Sequence, residues 1–145
     1  MVDDLYQEII IDHSKRPRNF HAMTDANRQA DGYNPLCGDK LKLFLKMDGD
    51  TVREASFTGS GCAISTASAS LMTESLKGKS RAEALHLLDE FHELLTTDVK
   101  AKKELGKLVV FGGVREYPAR VKCATLAWHT LRTALENKSE TASTE

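Results

Sequence analysis

The sequence predicts an α+β chain in which one antiparallel hairpin is followed by helices. Three observations carry this. Leu41, Leu43, Leu45 and Met47 alternate with Lys40, Lys42, Phe44 and Lys46, the period of a strand with one buried face. Asp48-Gly49 then marks a tight turn, and residues 51–58 return with Val52, Ala55 and Phe57 set among charges. Beyond them lie three helical stretches, opened in turn by Cys62, by a capping box and by a proline. A length of 145 residues suits one domain, read as residues 1–136, with a polar tail over 137–145 whose composition predicts disorder.

Residues 3–15 come first, with Leu5, Ile9, Ile10 and His13 at helical spacing and Arg16-Pro17 as the stop. His13 lies on the apolar side of this helix, where a packed or surface histidine is commoner than a ligand. Residues 18–34 are polar and read as an irregular loop, punctuated by Gly32 and Pro35. His21 lies in this loop with no partner near it in sequence.

The hairpin has a geometric consequence. Cys37 falls just before the outgoing strand and Cys62 just after the returning one, so antiparallel pairing sets them side by side. Cys37 and Asp39 are two apart, and in extended chain such positions point the same way. Gly38 between them leaves room for a bend. The same residues also suit an ordinary loop with Asp39 in an Asx turn.

Gly59-Ser60-Gly61-Cys62 closes the hairpin, and a run of Ala, Ser and Thr from Ala63 to Ser70 follows. That run predicts a helix with a small-residue face and places Cys62 at its start. Unpaired N–H groups and the positive end of the helix dipole favour a thiolate there. A small apolar cysteine packed at a corner is the other reading.

Ser80-Arg81-Ala82-Glu83 is a capping box for the next helix, with Leu85, Leu88, Phe91 and Leu95 as its apolar stripe. His86 and His92 are six apart on it, so they point in different directions and read as solvated or boundary residues. Residues 96–105 are charged and partly helical in character; residues 105–114 are an apolar, glycine-containing buried connector of unassigned structure. Pro118 opens a last helix that is apolar nearly all round, with Val121, Ala124, Leu126, Ala127, Trp128, Leu131, Ala134 and Leu135. Cys123 falls in its first or second turn.

Bulk properties narrow the chemistry. A net charge of -1 supplies no field for nucleic acid or a membrane surface. No apolar run approaches the ~20 residues of a membrane span. The acidic start lacks a signal-peptide core, so a cytoplasmic location is expected. Structural disulfides are rare there, and three cysteines cannot all pair. Metal binding or thiol chemistry is the alternative. Cys37, Asp39, Cys62 and Cys123 then offer three sulfurs and one oxygen, a set suited to tetrahedral zinc or to an iron–sulfur cluster.

Cys37-Gly38-Asp39, Gly-Ser-Gly-Cys62 with its Ala/Ser run, and Lys122-Cys123 together resemble the iron–sulfur assembly family of IscU and the N-terminal domain of NifU. Tyr6-Gln7-Glu8-Ile9, Asp12-His13 and Pro17-Arg18-Asn19-Phe20 extend the resemblance, which covers roughly residues 3–136. Two features point within the family to the SufU type. Lys122 stands where IscU-type chains carry a histidine, and Pro118-Ala119-Arg120-Val121-Lys122 replaces their Leu-Pro-Pro-Val-Lys segment. The 61 positions from Cys62 to Cys123 also exceed the IscU pattern, by about five helical turns; the extra chain lies near Thr96 to Val114.

The resemblance implies a small antiparallel sheet with helices packed on one face. It implies a site of Cys37, Asp39, Cys62 and Cys123 holding Zn2+, or alternatively a [2Fe–2S] cluster. It implies a sulfur acceptor rather than a free-standing enzyme. The expected donor is a SufS-type cysteine desulfurase, and the receiver a downstream iron–sulfur scaffold or apo-acceptor. Cys37, on the loop, is the expected acceptor thiol. Arg120 and Lys122 are placed to offset the negative charge of the ligands, with a solvated helix start as the plainer reading.

Overall fold

The computed structural model describes residues 2–96, 103–136 and 142–143. Helix α1 (Val2–Lys15) leads into strands β1 (Arg28–Asn34), β2 (Asp39–Asp48) and β3 (Thr51–Ser60). Helices α2 (Ala63–Leu76) and α3 (Arg81–Thr96), a 3-10 segment (Lys103–Glu116), helix α4 (Pro118–Leu135) and the short strand β4 (Ala142–Ser143) complete the order. The sheet runs β3-β2-β1-β4, antiparallel except for a two-residue parallel pairing of β4 with Gly32 and Tyr33. The charged residues 97–102 and most of the polar tail lie outside the described residues.

The hairpin forms, with Leu41, Leu43 and Leu45 buried and Lys40 and Lys42 exposed, but Phe44 on the other face is buried too and Met47 is half-buried. Gly49 turns it, and Lys40 pairs with Ser60 at the far end. Helix α4 packs along β1 and β2, and α2 packs against β3, so the helices share one face of the sheet. The polar loop expected over residues 18–34 is in part a strand. In β1 the inward positions are Ala30, Gly32 and Asn34. None is a large apolar residue, so strict alternation is present but hydropathy hides it. The residues before β1 guard the opposite edge: Phe57 donates its amide to the Asn19 carbonyl, and Phe20 meets Phe57 edge to face.

The small face of α2 lets α4 approach closely. Ser68, fully buried, donates its hydroxyl to the Ala124 carbonyl (2.6 Å) and accepts from Trp128 Nε1 (3.1 Å). Trp128 stacks on Phe91 of α3 at 4.6 Å, and Phe111 meets Phe91 edge to face. The unassigned connector is the 3-10 segment, broken at Gly106; it buries Leu105, Leu108, Val110, Phe111 and Val114. The capping box of α3 closes reciprocally, Ser80 and Glu83 each binding the other's backbone amide.

Helix α1 docks on α2 through His13, which is 2 % exposed. Its Nδ1 lies 2.7 Å from Ser70 Oγ, which also accepts the Arg18 amide, and its Nε2 lies 3.7 Å from Glu74. Burial, then the nearby Arg18, hold His13 below the ordinary imidazole value, against the pull of Glu74 and Asp12. His129 is lowered too, by burial, His92 and Arg132. Below about pH 6.5 the unfolded chain takes up protons that the folded chain refuses, so stability falls. Urea unfolding is therefore expected to show stability present above about pH 6.5 and dropping as the pH falls toward 5. The slope should flatten in His13→Gln; an equal slope in that variant contradicts this account.

Candidate metal centre

Three segments deliver the cysteines to one end of the sheet. The turn between β1 and β2 carries Cys37, exposed, with Gly38 at φ 71°. That left-handed value costs a side chain about 1 kcal/mol or more and costs glycine nothing. The Gly38 amide closes the turn on the Asn34 carbonyl (2.8 Å). Cys62 is the N-cap of α2, and its Sγ accepts the Ser65 amide at 3.4 Å. Cys123 sits in the second turn of α4, behind Tyr117 as N-cap and Pro118 as first residue, and is buried.

Asp39 joins these segments. It opens β2 and is fully buried. Its Oδ1 accepts the Cys62 amide at 2.9 Å, and its Oδ2 accepts Asn34 Nδ2 at 3.2 Å. The carboxylate therefore spans from the end of β1 to the start of α2. A Cβ on Gly61 would lie 2.6 Å from Asp39 Oδ1, so only glycine lets that carboxylate seat under the Cys62 amide.

Ligand atoms of Cys37, Asp39 and Cys123 all lie within 4.8 Å of one another, with the two sulfurs 3.4 Å apart. That separation is well beyond the ~2.05 Å of a disulfide, and all three cysteines are free thiols. Cys62 is outside this set of three, and its sulfur interacts with that of Cys123. Burial pushes the Cys123 thiol up, and the Cys37 and Cys62 sulfurs beside it push further. A cation among them would reverse that direction, because a coordinating thiol is deprotonated outright.

Of the four residues singled out in the sequence, Cys37, Asp39 and Cys123 converge, while Cys62 lies beside Cys123 and outside that close set. Sequence reasoning missed Asn34, which is fully buried and points its Nδ2 at both Asp39 and Cys123 Sγ (3.6 Å). Its signal was the inward phase of β1, two residues after Gly32. Arg120 stacks over the exposed Tyr117 ring at 4.8 Å and contributes no described ion pair. The other histidines lie apart from the centre: His13 serves α1, His21 caps a local turn, and His86 pairs with Glu90 on α3.

Gly61→Ala is expected to force Asp39 off the Cys62 amide, lowering stability by roughly 1–3 kcal/mol and weakening metal retention at the cysteines. Denaturant unfolding and elemental analysis read the two effects.

Comparisons with known proteins give the family. Residues 5–137 match the model of the NifU-like N terminal domain. The chain is 43 % identical over 131 residues to the zinc-dependent sulfurtransferase SufU of Bacillus subtilis, covering 90 % of this chain and 88 % of that one. It is 42 % identical over 139 residues to the iron–sulfur cluster assembly scaffold protein IscU of Streptococcus pyogenes, covering 95 % and 87 %. A solved structure from Fervidobacterium islandicum, described as an iron–sulfur cluster assembly scaffold for the SUF system, superposes with a TM-score of 0.83 at 36 % identity, covering 93 % and 99 %. The chain belongs to the NifU-like N-terminal domain family of iron–sulfur cluster assembly proteins.

Proposed function

We propose that this protein is a zinc-holding sulfur acceptor that takes sulfur from a SufS-type cysteine desulfurase. The convergence of Cys37, Asp39 and Cys123 donor atoms beside the capped Cys62 carries the reading. The donor set fits the metal. Zinc–sulfur bonds of about 2.3 Å give a tetrahedron with sulfurs about 3.8 Å apart. The Cys37–Cys123 separation of 3.4 Å needs only a small adjustment to reach that. In this reading Cys37, Asp39, Cys62 and Cys123 hold the zinc, which keeps thiols ionised at neutral pH. The 43 % identity to a protein named as a zinc-dependent sulfurtransferase supports the same assignment.

The cysteines divide the work by exposure. Cys123 is buried and Cys62 is tied into a helix cap, whereas Cys37 is exposed on a turn. An incoming persulfide can therefore reach Cys37. The Cys37 thiolate attacks the outer sulfur of the donor persulfide. A new S–S bond forms on Cys37, the donor S–S bond breaks, and the donor cysteine leaves as a thiolate. Asn34 and the Cys62 amide hold Asp39 in place through this step. Leu36, 62 % exposed and adjacent to Cys37 in the turn, gives a docking partner apolar surface next to the thiol.

Protein purified without added metal or chelator is expected to carry about one zinc at the cysteines, lost in Cys62→Ser. Cys37→Ala should fold and accept no sulfur from the desulfurase, read by mass spectrometry as the absent 32-Da adduct, roughly one sulfur atom. Sulfur acceptance equal to the parent in Cys37→Ala would sink the assignment of that residue. The second reading, a scaffold that builds and passes on a [2Fe–2S] cluster, draws on the relatives named as scaffolds. Iron and sulfide in equal amounts on the purified protein would favour it.

A further inference from the structure

Outside the cysteine cluster, two imidazoles face each other across a helix pair. His92 of α3 and His129 of α4 have ring centroids 6.5 Å apart at 61°. From this the geometry points to a second metal site, in which His92 and His129 together bind a divalent cation of the zinc, nickel or copper class.

The placement is built by the fold. Asp89 and Arg132 pair at 3.0 Å, and the histidines lie three residues further along α3 and three residues back along α4. That is the neighbouring rung of two antiparallel helices, one turn along. Phe91 and Trp128, stacked at 4.6 Å, lock the same two helices from the core side. The rings therefore stand on rigid elements, as a metal site needs.

Zinc–nitrogen bonds of about 2.0–2.1 Å put the centroids of two imidazoles on one ion about 5–6 Å apart. His92 is exposed, so its ring can turn inward by the small amount required. Both residues use their backbone carbonyls for the Thr96 and Thr133 hydroxyls, and among the described residues the rings contact each other. Imidazole suits these cations when neutral. Burial above all holds His129 toward its neutral form, which leaves a nitrogen lone pair available, and the nearby Arg132 charge is offset by its pairing with Asp89. The Asp89 carboxylate already engages Arg132, so water completes the coordination.

Such an ion staples α3 to α4, the helix that carries Cys123, without touching any of the three sulfurs. It would also raise the zinc count of the protein above what the cysteines alone hold.

The test is equilibrium dialysis of the full chain against zinc at pH 7.5 followed by elemental analysis, on the parent, His92→Ala and Cys62→Ser. The parent should hold about one zinc more than His92→Ala, and NMR should show the His129 ring signals shifting as that zinc binds. Cys62→Ser should keep the histidine-held zinc, so failure at the cysteines and failure here read out separately. His92 is exposed, so loss of fold is not expected in its variant, and circular dichroism checks this. Equal zinc in the parent and His92→Ala, or unmoved His129 signals, overturns the proposal.

Discussion

A buried carboxylate holds this end of the molecule together. Asp39 has no solvent exposure, and an ionised carboxylate in that position is costly unless its oxygens are satisfied. One oxygen takes the Cys62 amide and the other takes Asn34. Each partner comes from a different element, so one side chain fixes the end of β1, the start of β2 and the start of α2. Removing the carboxylate would leave the helix-start amide of Cys62 unpaired and Asn34 Nδ2 with its longer contact to Cys123 Sγ. That shared dependence brings residues 25 apart in sequence to one place.

The sequence made legible whatever is written in large apolar residues or in local hydrogen-bonding chemistry. The hairpin, the capping box at Ser80 and Glu83, and the proline start of α4 all form where the residues place them. The hairpin sets Cys37 and Cys62 at one end for a topological reason, since it must return to its own starting end, but it does not place Cys123, which helix α4 brings to Cys37. Strand β1 was not, because its inward face is Ala30, Gly32 and Asn34. Packing against α4, not hydropathy, selects small residues there; a Cβ on Gly32 would meet the Thr130 hydroxyl. The burial of the 3-10 segment was legible in its apolar run, but its backbone form was not, since its packing partner is α3.

Exposure separates three chemically identical thiols. Cys123 is pushed toward its neutral form by burial and by the other sulfurs, which makes it a poor free nucleophile. Cys62 is engaged by a helix-start amide. Only the Cys37 turn carries a thiol outward, next to the exposed Leu36. In the proposed role this asymmetry lets Cys37 turn toward a partner while Cys62 and Cys123 stay in place.

Helix α4 has to serve both ends of this arrangement. Its first two turns place Cys123, and its middle is locked by Trp128 against Ser68 and Phe91. Because Ser68 lies on α2, which begins at Cys62, the same contact sets the distance between the helix that caps one sulfur and the helix that buries another. A larger residue at Ser68 would separate α2 from α4 and so pull Cys62 from Cys123. The small-residue face of α2 is therefore a requirement of the cysteine cluster as much as of the core. This explains why so polar a run as Ser65 to Ser70 lies almost wholly inside the protein.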